Sequence, residues 1–363
     1  MAASTLEAMH GPVRCPHGCS ILPPDLLRRI ARNGNRRQRE AALDTLGLDH
    51  TLRASRATLE LLGGPARRGL FGLAGAIKQR TVYDADHTET LPGRVVRSEG
   101  AAAGGDVEVN EAYDGLGATF DFFAQAYDRN SIDDAGLHLD ATVHYGQRYD
   151  NAFWNGRQMV FGDGDDDLFN RFTISLDVIG HELTHGVTGD EAQLVYLGQA
   201  GALNESLSDV FGSLVKQYVR RQTAEQADWL IGEGLFTAKV HGVALRSMKA
   251  PGSAFDDPVL GRDPQPANMS GYVRTSADNG GVHTNSGIPN HAFYLVAVAL
   301  GGYAWEKAGR IWYDTLRDRR LKPTATFRQF ARLCVQNAEH AFGAHERDAV
   351  TAAWSEVGVA ADA

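Results

Sequence analysis

His181-Glu182-Leu183-Thr184-His185 lies inside a segment, residues 175–188, in which Val178, Ile179 and Leu183 fall at helical spacing. Two histidines four apart on a helix project from one face about one turn from each other, so their imidazoles can converge on one metal ion. Zinc that does chemistry needs a third protein ligand and an open fourth position for water. Glu205, in Asn204-Glu205-Ser206-Leu207-Ser208-Asp209, is the best third ligand. It sits on the next helical segment, after a turn at 198–201 that lets the second helix fold back on the first. Asp209 follows by four residues, faces the same way and is suited to orient a ligand histidine. One residue step rotates Glu182 by roughly 100° from His181. It therefore borders the open side of the metal, where a carboxylate can take a proton from a zinc-bound water and return it to a leaving amine. A purely structural zinc is disfavoured, because such sites close with four ligands rich in cysteine.

Outward from this motif the chain divides. Residues 22–62 read as two helices. Leu22-Pro23-Pro24 is a stiff lead-in, Asp25 opens a helix through Leu26, Leu27 and Ile30, and Asn33-Gly34 ends it. A second pattern runs through Leu43, Leu46, Leu52, Leu59 and Leu62 to Gly63-Gly64-Pro65. Residues 66–79, with Arg67-Arg68 and several glycines, read as a linker open to proteolysis. From Arg80 to about Val160 short strands dominate, such as Thr81-Val82-Tyr83 and Thr142-Val143-His144-Tyr145, with helical periodicity only at 118–127. Beyond Ser175 the chain is mainly helical, at 175–188, 202–221, 290–298, 304–316, 326–341 and 345–357. A strand-rich half followed by a helical half predicts an α+β fold of two domains with a cleft between them. The expected division is a leader and linker over 1–65, its end falling anywhere in 51–79, then a domain over 66–196 and a helical domain over 197–363.

With 363 residues, 43% of them hydrophobic, the chain can bury a substantial core. No run of eighteen apolar residues occurs, and the first thirty residues lack the charged start and apolar stretch of a secretory signal. Membrane insertion is not expected, and export by a non-standard route or cytoplasmic residence both stay open. Cys15, Cys19 and Cys334 are too few and scattered for a disulfide framework. The net charge of −9 hides an asymmetry: residues 1–80 carry +7 and the remainder −16. Opposite signs favour docking of the leader on the body, against the alternative of a merely solvated basic helix pair. An acidic body also argues against nucleic-acid binding.

These motifs together resemble the thermolysin family of zinc peptidases from about Val82 to the C-terminus, which implies a two-domain zincin fold and one catalytic zinc. Asn151-Ala152-Phe153-Trp154-Asn155-Gly156 resembles the family's edge strand, where the asparagine and a backbone carbonyl hold extended substrate by strand addition. Asp278-Asn279-Gly280-Gly281-Val282-His283 resembles its second catalytic loop. By that likeness His283 donates to the oxyanion, Asp278 orients its ring and Tyr196 is a second donor. Arg246 matches the arginine that holds a substrate carbonyl. Phe169, Phe172, Val178, Ile231 and Leu245 match the wall of a pocket for a bulky hydrophobic residue after the scissile bond. Peptides and proteins are the implied substrates, and a monomer is expected.

The family's paired calcium site is altered. Asp177, Asp228 and Glu233 fall at three of its positions, but Lys216 and Leu230 stand at two others and Val243 at a further ligand position. A lysine there neutralises carboxylates in place of a divalent ion, so at most a reduced set of Ca2+ sites is expected.

The segment from Cys19 through Pro23-Pro24 to Ile30 resembles the short propeptide of protealysin-like members, which implies an intramolecular inhibitor lying in the cleft. Proline suits a plug because it is already extended. As a thiolate Cys19 can fill zinc's open position, or it can be an ordinary packed or exposed thiol. A competing reading is a non-catalytic zincin-fold binding or effector protein, against which stand the intact Glu182, Tyr196 and His283. The long-motif metzincin clan is excluded, because Thr188 and Glu191 occupy the places of its glycine and third histidine.

Overall fold

The structure is a computed structural model that describes residues 20–61 and 77–361; Cys15, Cys19 and most of the linker expected at 66–79 lie outside those residues. The leader folds as two helices, α1 (Pro24–Asn33) and α2 (Arg36–Leu61). Pro24 opens α1, where its missing N–H costs nothing, and Leu26, Leu27 and Ile30 form the buried face. The chain turns at Gly34, whose N–H donates to Ile30 O at 2.8 Å.

The next elements are β1 (Arg80–Asp84), β2 (Arg94–Ser98), α3 (Val107–Tyr127), β3 (Leu139–Val143), β4 (Ala152–Trp154) and β5 (Gln158–Phe161). They form one sheet in the order β2-β1-β3-β5-β4, with β1, β3 and β5 parallel and the two outer strands antiparallel to their neighbours. This leaves β4 at an edge, beside the zinc-motif helix. Two expectations are corrected here. Helix α3 starts eleven residues before the periodicity at Ala118, because the Asp106 side chain caps it through Val109 N–H while Gly115 and Gly117 dilute its apolar pattern. Strand β3 stops at Val143, because His144 turns out with a left-handed φ of 54°.

Helix α4 (Leu176–Glu191) carries the histidine pair, and α5 (Gly198–Arg220) carries Glu205 and Asp209. The reversal between them falls on residues 192–197, before the turn expected at 198–201. The helices touch backbone to backbone at Gly180 and Gly212. A Cβ on Gly212 would stand 2.3 Å from Asp177 O and 2.9 Å from His181 N, and one on Gly180 would stand 3.0 Å from Gly212 Cα. Two absent side chains thus set the spacing that brings Glu205 to the histidines. A short ribbon, β6 (Leu230–Ile231) with β7 (Arg246–Ser247), precedes α6 (Asp278–Asn285), α7 (Gly287–Leu300), α8 (Ala308–Leu316), α9 (Phe327–Ala341) and α10 (Ala344–Glu356). The strand-rich half and the helical half share one apolar core, which also takes in Ile21, Leu22, Leu26, Leu27 and Ile30 of the leader.

Candidate active site

His181 and His185 turn their Nε2 atoms toward each other at 3.1 Å, a distance that two nitrogens keep only around a shared proton or a metal. Their outer nitrogens are fixed. His181 Nδ1 donates to Asp209 Oδ1 at 2.8 Å, and His185 Nδ1 donates to Asn204 Oδ1 at 2.8 Å, with Ser208 Oγ at 3.1 Å. Protons held at Nδ1 leave both Nε2 lone pairs facing one point. Glu205 faces the same point, with Oε2 3.5 Å from His181 Nε2 and Oε1 3.5 Å from His185 Nε2. Its Oε2 is fully buried and accepts no hydrogen bond. Burial pushes His185 down to about 4, keeping it neutral as a ligand must be. Burial opposes ionisation of Glu205, but His283, His185 and His181 outweigh it and lower its pKa. This donor set fits a zinc ion. The histidines and Glu182 also have ligand atoms within 4.8 Å of one another, but Glu182 Oε2 accepts the Trp154 N–H of the edge strand at 3.0 Å.

Asn204, Ser208 and Asn290 were not anticipated. Asn290 Nδ2 donates to Asp209 Oδ2 at 2.8 Å. The signal for the first two was present, since 204 and 208 share a helix face as 205 and 209 do.

The cleft holds the leader. Ile21 N–H donates to Ala152 O at 3.1 Å, Leu22 N–H to Asn151 Oδ1 at 3.0 Å, and Ser20 bridges antiparallel to Phe153. Arg246 Nη1 donates to Ile21 O at 3.2 Å, and His283 Nε2 lies 3.2 Å from Ser20 O. The side chain of Ile21 is fully buried and joins the main apolar core, which also includes Phe169, Phe172, Val178, Ile231 and Leu245. Pro23 lines one pocket together with Leu245 and Arg246, and Pro24 starts α1. Proline has no N–H to give an edge strand, so within this segment it is Ser20, Ile21 and Leu22 that make the strand contacts beside β4.

Around the Ser20 carbonyl, His283 Nδ1 donates to Asp278 Oδ1 at 2.7 Å, and the Asp278 carboxylate also accepts His283 N–H at 3.0 Å. Both contacts depend on a tight left-handed turn, with φ of 49°, 50°, 85° and 74° from Asp278 to Gly281, before one helical turn through Asn285. Burial opposes a charge on His283, but Asp278 and Glu205 outweigh it and hold it up at about 9. Tyr196 Oη donates to Glu205 Oε1 and lies 3.3 Å from His283 Nε2. Arg246 is anchored by two bonds to Asp209, Nε to Oδ2 at 2.9 Å and Nη2 to Oδ1 at 2.7 Å. One carboxylate therefore orients both a histidine of the metal cluster and the arginine on Ile21 O.

At the positions of the expected altered calcium site, Lys216 Nζ lies 2.8 Å from Asp177 Oδ2, from Asp228 Oδ1 and from Leu230 O. Arg220 Nη1 reaches Asp228 at 3.2 Å and Glu233 at 3.4 Å. Val243 is exposed.

Family models described as the thermolysin metallopeptidase catalytic domain and α-helical domain match residues 62–189 and 192–359. The chain is 55% identical over 341 residues to an extracellular metalloprotease of Pectobacterium carotovorum subsp. carotovorum, covering 94% of this chain and 96% of that protein. Identity to a thermolysin of Alicyclobacillus acidocaldarius subsp. acidocaldarius is 40% over 294 residues, 76% of this chain and 50% of that one. Among solved structures, the precursor of protealysin, a metalloproteinase from Serratia proteamaculans, is 56% identical with a TM-score of 0.86, covering 94% of this chain and 100% of that one. The likeness runs through both halves and through the helix pair that carries the metal cluster, so this chain belongs to the thermolysin family of zinc metallopeptidases.

Proposed function

We propose that this chain, a zinc-dependent metalloendopeptidase by family, cuts on the N-terminal side of bulky hydrophobic residues and is held latent by its own leader, residues 1–65. The observation that carries this reading is the set of main-chain bonds made by Ser20, Ile21 and Leu22 to Ala152, Asn151, Arg246 and His283. An extended substrate bound alike would place its scissile bond where Ser20–Ile21 lies, with the following side chain in the apolar pocket. Burying a side chain of that size contributes about 1.5–3 kcal/mol.

His181, His185 and Glu205 would hold the zinc, which when bound supplies the Lewis acid that acidifies water and polarises the scissile carbonyl. Glu182, held by the Trp154 N–H, takes the proton of the attacking water and delivers it to the leaving amine. His283 and Tyr196 donate to the developing oxyanion, and the charge that Asp278 helps hold on His283 strengthens that donor. Arg246 grips the next carbonyl, and Asn151 with Ala152 aligns the main chain without reading sequence. Lys216 and Arg220 take the place of ions in the paired calcium site. We place the remaining boundary at 196, between an N-terminal and a helical peptidase domain. The enzyme works as a monomer on peptides and proteins, and it works outside the cell, a location that its likeness to the extracellular metalloprotease of Pectobacterium supports.

Replacing Ile21 by Asp tests latency and register together. A carboxylate forced into the apolar pocket should undock the leader, so the unprocessed I21D chain should cleave a furylacryloyl-Gly-Leu amide substrate while the unprocessed parent does not. Continued latency of I21D would refute the reading, as would equal rates for Glu182→Ala and the parent after processing.

A further inference from the structure

Far from the cleft, two imidazoles and three carboxylates meet at one corner of the sheet. His87 lies in the turn after β1, His144 just past β3, Asp163 just past β5, and Asp106 and Glu108 at the start of α3. His144 Nδ1 is 3.0 Å from Asp163 Oδ1 and His87 Nδ1 is 3.2 Å from Asp163 Oδ2, so both oxygens of one carboxylate face an imidazole. On its other side His144 Nε2 is 3.0 Å from Asp106 Oδ2.

The two histidines are pinned from the backbone. His87 N–H donates to His144 O at 2.9 Å, and both residues hold left-handed φ values, 57° and 54°. His87 is exposed and His144 partly buried, which leaves one face of the group open to solvent. A plain ion pair accounts for His144 but leaves the second imidazole on the same carboxylate unexplained. One imidazolium among Asp106, Glu108 and Asp163 also leaves the corner negative, a deficit that suits a dication.

We propose that His87, His144 and Asp163 form a second metal site, for a divalent transition ion and zinc in the first instance, separate from the catalytic one. The three residues have ligand atoms within 4.8 Å of one another, and the two contacts above approach the roughly 3.4 Å between donors around zinc with bonds of about 2.0–2.1 Å. Two imidazoles and one carboxylate select zinc, nickel or copper over calcium and magnesium. Asp106 supplies the carboxylate that ligating histidines usually carry on their far nitrogen. Both imidazoles must be neutral at the nitrogen that ligates, so the ion binds in exchange for protons. The ion ties the turn after β1 to the ends of β3 and β5 and, through Asp106, to α3.

The test is zinc stoichiometry of the full chain, dialysed against micromolar free zinc and read by elemental analysis. The parent should hold about two ions, and His87→Asn, whose asparagine accepts the left-handed backbone, about one with the catalytic ion retained. Asp106→Asn should weaken the second ion by about 10- to 100-fold. Zinc beyond the first equivalent should raise the Tm of the parent and leave that of His87→Asn unmoved. A parent that saturates at one ion, or a His87→Asn chain that still holds two, overturns the proposal.

Discussion

Asp49 of the leader clamps Asn151 of the edge strand: Asn151 Nδ2 donates to Asp49 Oδ2 at 3.0 Å, while Asp49 Oδ1 accepts Tyr149 Oη at 2.5 Å. The amide oxygen of Asn151 is at the same time taken by Leu22 N–H. Two parts of the leader, 27 positions apart in sequence, thus meet on one residue of the edge strand, the one proposed above to align substrate. A hydrogen bond to a charged group is worth about 1.5–3 kcal/mol, so Asp49→Ala should raise the activity of the unprocessed chain roughly 10-fold or more. Peptidase rates taken before any cleavage of the linker check this.

Docking of the leader should also depend on pH. Asp150 and Asp165 are both buried beside α2, where Asp150 N–H donates to Thr45 Oγ1 at 3.0 Å. Asp165 Oδ2 is buried with no hydrogen-bond partner among the described residues. Burial first, and then the Asp165 charge, push the Asp150 carboxyl well above the usual range, with Asp166 adding to the shift and the Asp165 backbone N–H and Arg148 opposing it. A carboxyl raised in the docked state keeps its proton there. Its contribution is complete below the ordinary value of about 4 and is lost as pH climbs through the raised one. Latency should be deepest in mild acid and weaken toward alkaline pH. Asp150→Asn should flatten that slope, measured as protease susceptibility of the leader in a Glu182→Ala chain. An unchanged slope in Asp150→Asn would assign the effect elsewhere.

Asp209 orients His181 and anchors Arg246, so one substitution should disturb two functions. Asp209→Asn keeps the shape but loses the charge. Zinc affinity should fall about 10- to 100-fold, as for other groups that orient ligand histidines. Restoring zinc to saturation should recover only part of kcat/KM, because Arg246 remains loosened. Metal titration with a competing chromophoric chelator, followed by assay at saturating zinc, separates the two losses.

The histidine pair was legible because helical spacing alone puts residues four apart on one face, and the same rule reaches Glu205 and Asp209. What the pattern could not carry is distance between helices. That is set by Gly180 and Gly212, whose contribution is the side chain they lack. The leader's register was equally hidden, since strand addition joins main-chain groups and Ser20, Ile21 and Leu22 carry no marked side-chain pattern. The prolines drew attention by their stiffness, yet they lack the N–H that the pairing uses.

The Gly180–Gly212 contact makes its own prediction. A methyl at 212 meets backbone at 2.3 Å, so the helices must part. Gly212→Ala should cost about 1–3 kcal/mol of stability, and zinc affinity should fall with it because Glu205 retreats from the histidines. Thermal unfolding with and without zinc checks both. A variant as stable and as tightly metallated as the parent would show that the helix spacing is not fixed there.

Lys216 Nζ reaches Asp177, Asp228 and the Leu230 carbonyl, the groups proposed above to have lost a calcium ion. Burial opposes its charge, but Asp177 and Asp228 outweigh this and raise its pKa, so it stays cationic at working pH. Asp177 is fully buried and its other oxygen accepts Gly232 N–H at 2.9 Å. With the lysine in place, Tm should be the same in calcium and in a calcium-selective chelator. Lys216→Met removes the cation and strands a buried carboxylate, a change that costs about 3–5 kcal/mol. Calcium should then recover part of the lost Tm, because Asp177, Asp228, Glu233 and the Leu230 carbonyl remain as oxygen ligands for a hard cation. A parent chain that calcium stabilises would show that the lysine does not replace the ion.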